Sequence, residues 1–429
     1  MIAANIGKVF LEAYNEKYKS NYTAKAFFVE KYFDMFFDHE KYMQWVTNSP
    51  FVQGIKKGVA PTVAERKLKL EVLIDKISKN EADASIAIGF PSLDMTASTS
   101  GQITSMSLPL KEDDVYLSWI GSGLGVGVQS GLSLLFSNKH ILLDLYDGWQ
   151  LYRAFLNKTP NLRGNQINTW NGQWIAHRYN KNTYDASNPT ASFDPFGSMK
   201  DGGMEVTTQS WTKVIVGIAL NYPDSYLTAY VYSLGQTNIT VGFVPFELPR
   251  IRQPYELYAK YFGSSKKEQV DQLFGTAIGF TKACQMGAIG VNALEPKGFR
   301  DCLDKGIVPK YNNTEEEKTI NFNTYQIWLL AMLNNEQLWE KAQQIAKTLS
   351  NYSMSDTNAR KVKSQEVTNL LASVNKKQFI EALTTIVKGS QDFEQLAEIA
   401  ELIHSMPIDN VPYFLTLIRF QYAVVNKKS

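Results

Sequence analysis

The sequence predicts an α+β protein: a mixed N-terminal region with a β-rich middle, followed by a C-terminal helical bundle. Three observations carry this. Aromatic residues recur at helical spacing near the N-terminus, strand-like runs dominate residues 211–248, and from about Phe322 onward the apolar pattern is helical throughout. The division that follows is residues 1–315 for the mixed body and 316–429 for the bundle. With 429 residues, 44% hydrophobic and 20% charged, the chain is folded and buries a sizeable core.

Residues 1–47 read as helical, with Phe27, Phe28, Tyr32, Phe33, Phe36 and Phe37 forming a core-facing stripe. Residues 1–11 are too short and too weakly apolar for a signal peptide. Residues 56–79 form a basic amphipathic segment with Lys56, Lys57, Arg66, Lys67 and Lys69, either a solvated helix face or one that tracks phosphates. Residues 83–90 read as a strand. The loop after it is dense in small hydroxyl residues: Thr96, Ser98, Thr99 and Ser100, with Gln102. Such a loop is a plain turn or a set of donors for phosphate and groove.

Residues 115–138 carry no charge, but Gly121, Gly123, Gly125, Gly127 and Gly131 make them too polar for a membrane span, so they read as buried interior. Glycine at alternate positions implies close backbone approach, to a neighbouring strand or to a nucleic-acid backbone. Residues 130–146 are strand-like, 148–157 a short helix and 184–203 loop. The runs KVIVGIAL, YLTAYVYSL and NITVGFVPF read as strands, the last two a hairpin around Gly235. Beyond Phe322 four or five helices follow, with Phe379, Leu383 and Ile386, and Leu396, Ile399, Ala400 and Ile403, at bundle spacing. Asn375 stands at an N-cap, and Arg360, Lys361, Lys363, Lys376 and Lys377 make the surface locally basic.

Catalytic and metal signatures are missing from the sequence. His39, His140, His177 and His404 are far apart, no dinucleotide, P-loop or nucleophile-elbow motif is met, and Asp144 and Asp147 are explained by placement in a turn or first helical turn. Cys284 and Cys302 cannot build a disulfide framework or a Cys-rich zinc site, and a reducing, cytoplasmic setting fits them. No cofactor and no metal is expected. A formal charge of +2 is low for a free-standing nucleic-acid binder, so such a role requires local patches or partner subunits.

Residues 161–180, NLRGNQINTWNGQWIAHRYN, are composed unlike the rest. Asn161, Asn165, Gln166, Asn168, Asn171 and Gln173 offer paired donors and acceptors, Arg163 and Arg178 offer forks, and Trp170 and Trp174 offer flat faces. Gly164 and Gly172 interrupt any regular element, so the stretch reads as a long polar loop. Its amides either satisfy their own backbone or read a nucleic acid.

Several segments taken together resemble the large subunit of type I CRISPR effector (Cascade) complexes, nearest the type I-B group: NSPFVQGI (48–55), IGFPSLDMTASTSGQIT (88–104), SWIGSGLGVGV (118–128), NLRGNQINTWNGQW (161–174) and LIHSMPIDNVPYFLTLIRF (402–420). Some relatives carry paired C-x-x-C elements for zinc, and this chain has none. The resemblance implies a subunit that is not a nuclease and sits near the 5′ end of the guide crRNA. It implies inspection of double-stranded DNA for a protospacer-adjacent motif (PAM), help with unwinding and R-loop formation, and docking of a helicase–nuclease. The bundle would resemble the small subunit that lines the displaced strand, with backbone and small subunits as partners. Loops 96–102 and 161–173 are then expected to reach DNA or guide, and Lys361, Lys363 and Lys376 the displaced strand. The competing expectations are a protein-interaction scaffold and an enzyme with a site around residues 161–178.

Overall fold

The computed structural model describes residues 1–47, 49–56, 59–79, 86–89, 111–222, 226–234, 240–263, 275–355, 358–388, 390 and 393–428. The hydroxyl-rich stretch lies outside these, and with it Thr96, Ser98, Thr99, Ser100 and Gln102. Among the described residues helices predominate, with one small antiparallel sheet, an α+β fold. The chain divides into two compact units: residues 1–248 with 280–288, and residues 249–279 with 289–429.

In the first unit, α1 (Ile2–Tyr18) is followed by three contiguous helical pieces, Ala24–Phe27 in α, Phe28–Phe33 in π and Asp34–Phe36 in α form, together α2. Along these pieces Phe28 stacks on Tyr32 at 5.5 Å and Tyr32 on Phe36 at 4.0 Å. Every member of the expected aromatic stripe is buried. Next come α3 (Val63–Ser78), opened by a Thr62–Glu65 capping box, and α4 (Glu112–Gly123), whose first turn carries Glu112, Asp113 and Asp114. The described part of the expected strand at 83–90, residues 86–89, is turn and bend.

Helices α1 and α4 touch backbone to backbone. A Cβ on Gly121 would lie 1.9 Å from Ala3 O, and one on Gly7 2.1 Å from Leu117 O. Of the glycines expected to mark close backbone approach, Gly121 and Gly127 do so, against Ala3 and Asn168 of the same chain, whereas Gly123 and Gly125 meet side chains only and Gly131 meets nothing within 4 Å.

Strands β1 (Val126–Val128), β2 (Leu132–Phe136), β3 (Tyr226–Ser233) and β4 (Thr240–Glu247) pair antiparallel in that order. The expected hairpin pairing is present, with Tyr230 opposite Phe243. A bulge at Val231/Tyr232 shifts the register where Gly242 takes φ 107°. One face carries Val126, Leu134, Phe136, Ala229, Val231, Val244 and Phe246, all buried. The other carries Gly127, Ser133, buried Leu135, Tyr226, Thr228, Tyr230, Tyr232, Phe243, Pro245 and Glu247.

Three segments differ from expectation. The strand-like run 130–146 is strand only to Phe136. Asn138 then caps α5 (Lys139–Lys158) by accepting from His140 N and Ile141 N, so the short helix expected at 148–157 is the second half of a longer one. Asp144 and Asp147 are consequently interior to α5. KVIVGIAL is a helix, not a strand: α7 (Trp211–Asn221) starts at Ser210, whose side chain accepts from Lys213 N, and it is buried on nearly all sides. A helix apolar all round has no polar stripe to reveal its period. Between them, residues 167–178 form α6 (Ile167–Arg178), where a loop was expected.

In the second unit α8 (Leu248–Phe262) enters from β4, and the short α9 (Phe280–Gln285), which belongs to the first unit, precedes α10 (Arg300–Asp304). Six bundle helices follow among the described residues: α11 (Glu316–Leu333), α12 (Gln337–Met354), α13 (Arg360–Leu371), α14 (Lys376–Lys388), α15 (Phe393–Ser405) and α16 (Val411–Lys428). Compared with the division expected at residue 316, the unit reaches further back. Tyr325 and Trp328 of α11 tie residues 291–297 to it by bonds of 2.7 Å to Lys297 O and 3.0 Å to Val291 O. Asn375 caps α14 as expected, its Oδ1 accepting from Gln378 N at 3.0 Å. Buried Arg419 of α16 donates to Leu371 O and Ser373 O, closing the C-terminal end of α13.

Candidate nucleic-acid interface

The amide-rich stretch divides into two parts. Residues 161–166 are a tight connection between α5 and α6, clamped on both sides by backbone bonds. Arg163 N donates to Met204 O (3.0 Å), Met204 N to Asn161 O (2.8 Å), Asn165 N to Tyr42 O (2.6 Å) and Ile167 N to Met43 O (3.2 Å). Asn165 stands at φ 61°, a left-handed turn conformation that asparagine tolerates. Asn161, Arg163 and Asn165 are exposed. The Arg163 fork is already engaged, by Glu205 Oε1 at 2.6 Å and by Lys200 O and Asp201 O.

The remainder, α6, lies across β1. Gly172 and Gly127 make the contact possible: a Cβ on Gly172 would sit 2.0 Å from Gly127 O. Gly125 likewise leaves room for the Asn168 side chain, which donates to Ser133 Oγ at 3.3 Å. Asn171 is fully buried and donates to Gly123 O (2.8 Å) and Gly125 O (2.9 Å), closing the end of α4. Gln166 spends both ends of its amide, accepting from Val206 N at 2.7 Å and donating to Arg163 O at 2.9 Å. Gln173 donates to Thr207 O and Oγ1 and accepts from Gln209.

The flat faces are spent as well. Trp170 stacks on Tyr152 at 4.8 Å and donates to Gly148 O, and Trp174 donates to Asp144 O. Arg178 pairs with Asp144 at 2.8 Å, and Tyr179 OH donates to the other Asp144 oxygen. His177 is stacked on Phe193 at 4.5 Å, and burial lowers its pKa. The reading of residues 161–180 as an outward loop is thereby corrected. Asn161, Arg163 and Asn165 face solvent, whereas Asn171, Trp170 and Trp174 are core and Gln166, Gln173 and Arg178 hold neighbouring segments in place.

A consequence is testable at Gln166. Its replacement by alanine leaves Val206 N–H without its side-chain acceptor and should cost about 1–2 kcal/mol of stability. Denaturant melts of the variant should show that loss. An unchanged midpoint would mean that the amide is not a structural clasp.

In the second unit the expected cations separate in the same way. Lys376 Nζ donates to His404 O (2.7 Å) and Met406 O (2.9 Å), closing the C-terminal end of α15. Lys363 donates to Ser355 Oγ at 2.8 Å and lies 5.0 Å from the Tyr352 ring centre. Arg360 and Lys361 project into solvent from the first turn of α13, which contains no acidic residue. They line an open depression of about 510 Å³ with Asn358, Ser364, Gln365 and Thr368. Residues 361, 364, 365 and 368 follow one helix face, so the surface is a row of a cation, hydroxyls and an amide.

Sequence reasoning did not single out the second face of the sheet. Helix α6 covers its β1 end, but at the β3–β4 end Tyr226 and Phe243 are 66% and 65% exposed. Half-buried Tyr230 stands directly opposite Phe243, its ring 5.4 Å from Phe243 and 6.1 Å from Tyr232. The available signal was tyrosine at alternate positions 226, 230 and 232 of a strand whose other positions, Leu227, Ala229 and Val231, are aliphatic.

Among the described residues no group of three or more His, Cys, Asp or Glu side chains is arranged to hold a metal ion. None of the described helices is long and apolar enough to cross a membrane. In comparisons with known proteins, no family model, curated protein sequence or solved structure matches this chain.

Proposed function

We propose that the chain is a non-catalytic, nucleic-acid-binding subunit of an RNA-guided antiviral complex, acting as its large subunit in the manner of type I-B Cascade. Its tasks are recognition of a PAM in double-stranded DNA, help with unwinding and R-loop stabilisation, and docking of the helicase–nuclease. The resemblance of five sequence segments supports this reading. The structural observation that carries it is the row on α13, where Arg360 and Lys361 are held at the positive end of a helix dipole. Cations there are disfavoured by the macrodipole, and a bound polyanion reverses that cost. The near-neutral net charge accords with a subunit that holds guide crRNA and DNA together with backbone and small subunits, in the cytoplasm.

Purification after co-expression with the genomic neighbours tests this. Short RNA of uniform length, accompanied by repeated copies of a backbone subunit, is the expected result. Recovery with protein but no RNA would make the chain a scaffold. A lone chain that turns over a small molecule would make it an enzyme.

A further inference from the structure

The uncovered half of the sheet has a size and chemistry that select one kind of occupant. Tyr226 and Phe243 present exposed rings on two adjacent strands, with half-buried Tyr230 opposite Phe243 and Thr228 and Thr240 exposed beside them. From Tyr226 to Tyr232, across two strands, this surface measures on the order of 200 Å². A stable protein interface needs about 800 Å² from each partner, so the patch is too small for a second folded chain. It matches the span of two or three stacked bases.

Its electrostatics agree. Among the described residues of this face the charged side chain is Glu247, opposite Tyr226 at one end. The face is therefore suited to the neutral part of a ligand, not to phosphate. At its other end it runs into the amide edge of α6, where Asn168 meets Ser133, the register partner of Tyr232. Flat rings and hydroxyls are the equipment for unpaired bases, because every base has a face to stack.

We propose that the β3–β4 half of the sheet is a stacking surface for the unpaired bases of a single strand. This rests on the nucleic-acid reading above and adds the strandedness of the ligand and the place where its bases lie.

The test measures the affinity of the full chain for a short oligothymidylate and for an abasic strand of equal length, so that both carry the same phosphates. The base-bearing strand should bind at least about tenfold more tightly. Combined Tyr226→Thr and Phe243→Thr substitution should bring that ratio close to one and leave the abasic affinity unchanged. Phe243→Tyr alone, which keeps a ring, should preserve the ratio. Both altered positions are exposed, so an unchanged thermal melt is the expected folding control.

A ratio that persists in the doubly substituted chain overturns the proposal, as does equal binding of the two strands by the unmodified chain. Either result leaves the nucleic-acid reading standing. Binding of neither strand, by the chain alone and by the complex recovered with its co-expressed partners, overturns both. Loss of a co-purifying protein from the double variant, with the base preference intact, would assign the patch to a protein and overturn the stacking role.

Discussion

Replacing Gly172 with alanine is expected to lower the stability of the first unit by about 3 kcal/mol. The added Cβ would stand 2.0 Å from Gly127 O, and the obstacle is backbone of the sheet, which no rotamer change can move aside. Helix α6 would have to lift from β1, loosening Asn171 from Gly123 O and Gly125 O. Alanine's better helix propensity returns only about 1 kcal/mol. Gly121→Ala should behave alike, since Ala3 O would lie 1.9 Å from its Cβ. Urea titration should show a lower midpoint at unchanged slope. An equal or higher midpoint would mean that the helices do not meet backbone to backbone.

Neutralising Arg360 and Lys361 together, as Arg360→Gln and Lys361→Gln, is expected to move stability and binding in opposite directions. Removing two exposed cations from the first turn of α13 relieves their repulsion with the helix dipole and should stabilise the bundle by a few tenths of a kcal/mol. The same change should weaken single-strand binding at low salt by about tenfold or more. Lys376→Met is the contrasting variant. Its ammonium donates to His404 O and Met406 O, so its loss should destabilise the bundle by about 1 kcal/mol with little effect on binding.

The parts of the fold legible in the sequence were those with one clean period. The aromatic stripe from Phe27 to Phe37 has helical spacing and is buried as a block, and the β3–β4 hairpin alternates on a single buried face. The bundle helices carry polar outer faces that expose their period. Helix α7 was misread because it is apolar on nearly every side and rich in β-branched residues, which gives a short run the look of a strand. Helix α6 was misread for the opposite reason. Ile167, Trp170, Trp174 and Ile175 do have helical spacing, but Asn171 and Gly172 stand between them on the buried side. Both are needed there, one to satisfy carbonyls at the end of α4 and the other to let β1 approach.

The candidate site was legible in composition but not in placement. A string of amides and forks looks the same in sequence whether it faces DNA or clasps its own backbone, and at Gln166, Asn171 and Gln173 it does the latter. The same ambiguity hid the difference between Lys361, which is exposed, and Lys376, which closes a helix. The paired acidic residues show a related effect. Asp144 is consumed by Arg178 and Tyr179, while burial raises the Asp147 carboxyl above its usual range, the opposing pull of Lys17 and Arg178 being smaller.

The most direct test of the nucleic-acid role is the salt dependence of single-stranded DNA binding, measured for the unmodified chain and for the Arg360→Gln, Lys361→Gln variant. Two fewer phosphate contacts should make the slope of log affinity against log salt shallower by about 1.4. An identical slope in the two proteins, with the bundle stabilised as expected, would contradict the assignment of that surface to nucleic acid.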